Sequence, residues 1–131
     1  MIKHSKNQPC PCDPSKQYED CCEPFHQGHD NPNTAEQLMR SRYSAYVLQL
    51  NTYIKETWHS SNRPSLAHFT GQPIKWLGLT INKSWSNKLA NEAFVEFTAS
   101  YKINGKMQKM HEISRFILEN NKWFYLEGKL S

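Results

Sequence analysis

The stretch "PCPCDPSKQYEDCCEP" holds every cysteine of the chain: Cys10, Cys12, Cys21 and Cys22. Four thiolates make a closed tetrahedral donor set for Zn²⁺, with Zn–S distances of about 2.3 Å. Cys10 and Cys12 stand two residues apart, so in an extended backbone both side chains leave on the same side. Cys21 and Cys22 at the end of a helical turn would diverge by about 100° and still meet one ion, whereas an extended backbone would send them to opposite faces. Between the pairs, Asp13 is expected to cap a short helix with Pro14 at its first position. The four thiols satisfy the ion without water, so the metal is expected to be structural rather than catalytic. Iron is the alternative metal, because tetrahedral thiolates suit both ions; zinc needs no protection from redox chemistry. His26 is the alternative ligand, completing a Cys₃His set should Cys22 point away.

The opening "MIKHSKNQPC" has no apolar run suited to a secretory signal, and nowhere do about 18 consecutive apolar residues occur. A soluble, cytoplasmic protein without membrane insertion is expected. In a reducing compartment clustered thiols bind metal more often than they form disulfides, and adjacent Cys21 and Cys22 cannot pair without strain. The residues around the cysteines include few aliphatic side chains. Their core is therefore expected to be the metal site itself, on the order of 10 kcal/mol of apparent binding free energy.

A second group of candidate residues comprises Arg42, Tyr43, Trp58, Glu112 and Ser114. Arg42 falls inside an apolar helical stripe, between Met39 and Tyr46, where a surface charge is not expected. Glu112 shares a strand face with Ser114 and Phe116 and is the best partner for it. An Arg42–Glu112 pair would then line a pocket with Tyr43 and Trp58. The competing reading lets Arg42 snorkel to solvent and makes Glu112 a sheet-edge carboxylate. His59 and His111 could carry protons, but neither has a sequence-adjacent carboxylate and nucleophile. No glycine-rich phosphate loop, nucleophile elbow or HExxH pattern occurs.

These residues must be positioned by two units, 1–32 and 33–131, divided at the turn-rich "GHDNPN". Thr34 and Gln37 have capping-box spacing at the start of "TAEQLMRSRYSAYVLQL", whose Met39, Tyr43, Tyr46, Val47 and Leu50 share one helical face. Asn51 or Thr52 would cap a second helix through "YIKETWH", and residues 65–70 a further single turn. From Lys75 the period changes to that of strands, with Ala93, Val95, Phe97, Ala99, Tyr101 and Ile103 alternating with mostly polar neighbours. Asn104-Gly105 supplies a two-residue hairpin turn, and Glu119-Asn120-Asn121 a second reversal. The expected fold class is α+β, with helices packed on one face of a curved antiparallel sheet.

"CPC", eight residues and "CC" resemble the SEC-C motif, a metal-binding segment found at the end of the SecA translocation ATPase. With "EPFHQG", "LMRSRYSAYV", "WLGL" and "HEISRF" the chain resembles the YchJ family of small bacterial proteins. The resemblance implies a SEC-C-like zinc segment joined to a domain of the nuclear transport factor 2-like, cystatin-related fold. It maps the motif's four metal positions onto Cys10, Cys12, Cys21 and Cys22. The usual Gly-Ser-Gly after the second cysteine is replaced here by Asp13-Pro14-Ser15.

The chain carries a formal net charge of +4. It is acidic up to residue 32 and basic beyond, without a dense Lys/Arg block. The expected function is a non-enzymatic zinc-binding adaptor whose SEC-C-like segment contacts a protein, ribosomal or translocation-related partner. A small-molecule binder or enzyme using the cavity of the α+β domain is the second reading. Nucleic-acid binding by the basic domain is the third.

Overall fold

The structure, a computed structural model, describes residues 8–63 and 74–130. The helical turn expected at 65–70 lies outside the described residues. The cysteine segment begins with β1 (Pro9–Cys10), paired antiparallel to β2 (Asp13–Gln17) with Cys10 opposite Asp13. Cys12 occupies the tight turn between them. The short helix expected after Cys12 does not form. The Asp13 carboxylate accepts from both the backbone N–H and the hydroxyl of Ser15, at 3.0 and 2.7 Å, and this closes a bend rather than capping a helix. Pro14 sits on a strand of a two-stranded sheet, where its missing N–H is tolerated.

The helical turn that delivers the second cysteine pair comes later, as a 3-10 turn at Tyr18–Asp20, with Cys21 as its C-cap. Cys22 then serves as the N-cap of α1 (Glu23–His26), which has a proline in its first turn.

α2 (Ala35–Leu48) starts where the capping box predicts. Thr34 Oγ1 accepts from the Gln37 N–H at 3.1 Å. The reciprocal bond falls one residue early, with Gln37 Oε1 accepting from the Asn33 N–H at 2.7 Å. The helix ends at Gln49, which adopts the left-handed conformation. α3 (Asn51–Glu56) is shorter than its sequence pattern suggests. Asn51 is its first residue, Leu50 is the N-cap, and no side chain caps it. The chain leaves helix before Trp58, because Thr57, Trp58 and His59 pair with Tyr125: Tyr125 N–H donates to Thr57 O and His59 N–H to Tyr125 O, both at 2.8 Å.

Four strands follow as an antiparallel meander in the order β3 (Lys75–Asn87), β4 (Glu92–Ile103), β5 (Lys106–Glu119) and β6 (Lys122–Leu130). Asn104 and Gly105 have φ of 52° and 77°, and Asn120 and Asn121 have 52° and 63°, as two-residue hairpin turns require. The alternation in β4 puts Ala93, Val95, Phe97 and Ala99 into the core, joined by Ser114 and Phe116 of β5.

α2 packs on this sheet and also carries the cysteine segment, α1 and α3. It therefore buries Ser41, Arg42, Tyr43, Ser44 and Ala45 in succession, rather than the single stripe its apolar residues suggest. Cys10, Cys12, Tyr18 and Cys22 belong to the same continuous core as Leu38, Val95 and Phe116. The cysteine segment thus has packing of its own against the helix, in addition to its thiols. No helix among the described residues is long and apolar enough to cross a membrane.

Candidate metal centre

The hairpin brings Cys10 and Cys12 together, and the 3-10 turn and the start of α1 bring Cys21 and Cys22 against them. The ligand atoms of all four cysteines lie within 4.8 Å of one another. Sγ–Sγ separations are 3.6 Å for Cys10–Cys12, 3.6 Å for Cys12–Cys21, 3.7 Å for Cys12–Cys22 and 3.9 Å for Cys21–Cys22. A tetrahedron with metal–sulfur distances of about 2.3 Å has edges of about 3.8 Å. A disulfide would need sulfurs about 2.0 Å apart, and all four cysteines are free. The cluster can therefore coordinate a metal ion.

Hydrogen bonding from the Cys12 and Cys22 thiols holds Cys10 far below the ordinary thiol range. Donation toward Cys10 pushes Cys12 up to about 12 and Cys22 up as well, and burial raises Cys21. The thiols alone thus favour one thiolate among them. Ionising all four in a buried site calls for a multivalent cation at their centre.

α2 supplies the surroundings. Ser44 Oγ lies 3.3 Å from Cys22 Sγ and 3.6 Å from Cys10 Sγ. Arg40 Nη1 reaches Cys12 O at 3.5 Å and is steadied by Glu36 at 3.1 Å. Neither contact was evident from the sequence. The available signal was the pair of small hydroxyls Ser41 and Ser44, one helical turn apart among apolar neighbours.

His26 stands outside the group of four. Its Nε2 lies 2.8 Å from Ser41 O and its Nδ1 2.6 Å from the Tyr18 hydroxyl. A carbonyl only accepts, so Nε2 carries the proton and Nδ1 accepts from Tyr18. Both ring nitrogens are thereby engaged, while Cys22 points into the cluster.

Arg42, Tyr43, Trp58, Glu112 and Ser114 line one cavity of about 370 Å³ between α2 and the sheet. Tyr46, Trp76 and Tyr125 line it too and were not singled out from sequence. Burial pushes Tyr43 up to about 12 and raises Tyr46 and Tyr125, keeping their hydroxyls protonated.

The expected Arg42–Glu112 ion pair is replaced by other contacts, and Arg42 does not snorkel either. Arg42 is 3% exposed. Its Nη1 donates to Ile54 O at 2.8 Å and Thr57 Oγ1 at 2.7 Å, at the C-terminal end of α3. Its Cζ lies 5.1 Å from the Trp58 ring centroid and 4.6 Å from that of Tyr125. Glu112 lies on β5, an interior strand, and accepts from the Ser114 hydroxyl and from Tyr125 OH.

His59 and His111 each find a carboxylate across the fold. His59 Nε2 is 3.1 Å from Glu119 with Ser61 on its other nitrogen, and His111 Nε2 is 2.6 Å from Glu96. Neither histidine lines the cavity.

The family described as "YchJ, middle NTF2-like domain" matches residues 34–128. A UPF0225 protein of Cupriavidus metallidurans is 45% identical over 129 residues, spanning 93% of this chain and 89% of the relative. A UPF0225 protein of Bordetella bronchiseptica is 41% identical over 134 residues, with 99% of each chain covered. The crystal structure of a SEC-C motif containing protein from Psychrobacter arcticus superposes with a TM-score of 0.80 at 30% identity, over 95% of this chain and 83% of that one. The solution structure of a SEC-C motif containing protein from Rhodopseudomonas palustris gives a TM-score of 0.80 at 29% identity, over 94% and 98%.

Proposed function

The chain belongs to the YchJ (UPF0225) family, and on that premise we propose that it is a non-enzymatic, cytoplasmic zinc-binding adaptor. Cys10, Cys12, Cys21 and Cys22 hold one structural zinc ion. The observation that carries this reading is the sulfur geometry, with four separations of 3.6 to 3.9 Å close to the edge of a tetrahedron around a single ion and all four sulfurs within 4.8 Å of one another. An iron–sulfur cluster would need its cysteines spread around several metal atoms, which sulfurs already in contact with one another do not allow. Between single ions, zinc is favoured over iron because tetrahedral thiolates suit it without redox protection. When bound, the ion fixes the relative positions of the hairpin and the Tyr18–Cys22 turn.

The partner is a protein, with a ribosomal or translocation-related assembly as the specific reading. Two features support a contact through the cysteine segment. Both structural neighbours carry a SEC-C motif by name. The outer surface of the segment, at Pro14, Ser15, Lys16, Glu19 and Asp20, is exposed. The test is affinity co-purification with the native chain, with a Cys21→Ser/Cys22→Ser variant and with a Lys16→Glu variant that leaves every thiol in place. The reading expects partners to be lost with the thiol variant and weakened with the charge reversal. An unchanged partner list in both would overturn it.

A further inference from the structure

Arg42, buried between α2 and the sheet, has no directly paired carboxylate among the described residues, although Glu112 lines the same cavity. We propose that this cavity binds a small amphipathic monocarboxylate, with the acid group on Arg42 and a hydroxyl of the ligand, where it has one, on Glu112.

The guanidinium of a residue only 3% exposed calls for an anion or a full set of acceptors. Within the protein Arg42 is met by acceptors on one nitrogen, the Tyr46 hydroxyl and the faces of Trp58 and Tyr125, but by no directly paired carboxylate among the described residues. Its hydrogen bonds to α3 both leave from Nη1, one to a carbonyl and one to a hydroxyl, and no carboxylate among the described residues pairs with it. Tyr46 adds a hydroxyl beside the guanidinium but no charge. The planar fork carries five N–H donors, and its match is a carboxylate. Burial alone disfavours the Arg42 charge, and an anion inside the cavity would restore it.

Glu112 lines the same cavity, where its charge favours the guanidinium without a direct ion pair to it. Ser114 and Tyr125 hold its carboxylate, which lies over Gly128 so closely that a Cβ built there would collide with it. The two charges are thus presented separately to one cavity. Its volume of about 370 Å³ falls in the range of small-molecule sites. Trp58, Trp76 and Phe97 provide apolar walls for the body of the ligand. The opposed carboxylate disfavours dianions such as phosphate, and the buried guanidinium disfavours amines.

The probes are benzoate, 4-hydroxyphenylacetate and hexanoate, each with its primary amide, titrated into the full metal-loaded chain by ligand-observed NMR and calorimetry. At least one acid binds saturably in the millimolar range or tighter, and its amide binds ten-fold or more weakly. Arg42→Met abolishes the preference for acid over amide. Because Arg42 also braces α3, Glu112→Gln provides a second arm. It tightens benzoate several-fold and removes any advantage of 4-hydroxyphenylacetate. The proposal is overturned if no acid binds the folded chain, if amides bind as well as acids, or if acid binding is unchanged by Glu112→Gln.

Discussion

The Ser44 hydroxyl donates to the Cys22 sulfur across 3.3 Å, tying the central helix to the thiol cluster. Two residues earlier on the same helix, Arg42 faces the cavity. Two residues span about 200° of helical azimuth, so the cluster and the cavity occupy opposite sides of α2. One helix therefore supports both sites. Ser44 serves the cysteine side and Arg42 the cavity, while the Ser41 hydroxyl ties the helix to Tyr53 of α3.

Ser44→Ala tests the support that the helix gives the metal. Groups that hydrogen-bond metal ligands typically change affinity 10- to 100-fold when removed. A loss of about that size is expected in competition with a chromophoric chelator, with the fold retained. Unchanged affinity would make the Ser44 contact incidental.

His26→Gln tests the ligand set. With both ring nitrogens engaged by Tyr18 and Ser41, the histidine holds the segment to the helix and stands outside the group of four thiols. Metal content should stay at one ion per chain, while the denaturation midpoint falls by the equivalent of about 1–3 kcal/mol for the groups left unpaired. A loss of metal stoichiometry in this variant would put His26 among the ligands.

Gly128→Ala tests how Glu112 is seated. The added methyl group meets the Glu112 carboxylate, and overpacking of this kind costs about 1–3 kcal/mol. Much of that loss should return in the Gly128→Ala/Glu112→Ala double variant, read as coupling in a denaturation cycle. Simple additivity of the two changes would contradict the close approach.

The meander was legible because its signals are local. The alternation through Ala93, Val95, Phe97 and Ala99 fixes which face of β4 is buried, and Asn104-Gly105 can adopt positive φ without a partner elsewhere. The Thr34 cap was legible for the same reason. The Asp13-Pro14 pair was misread because those residues start helices and bends equally well. Pairing of Asp13 with Cys10 and the Asp13–Ser15 hydrogen bonds decide the matter, and neither is encoded in spacing.

The acceptors of Arg42 were hidden for a different reason. One is the Ile54 backbone carbonyl, exposed to Arg42 only by the way α3 packs. Ser44 was overlooked because a buried serine looks like a solvent-facing one until the cysteine segment is laid over the helix.

The most direct measurement is the metal content of the purified chain by elemental analysis and native mass spectrometry, followed by hydrogen exchange across residues 9–27 before and after a strong chelator. The proposed zinc site predicts one zinc ion per chain, and loss of protection at Cys10, Cys12, Tyr18 and Cys22 once the ion is withdrawn. A metal-free protein whose cysteine segment exchanges at the same rate with and without chelator would contradict it.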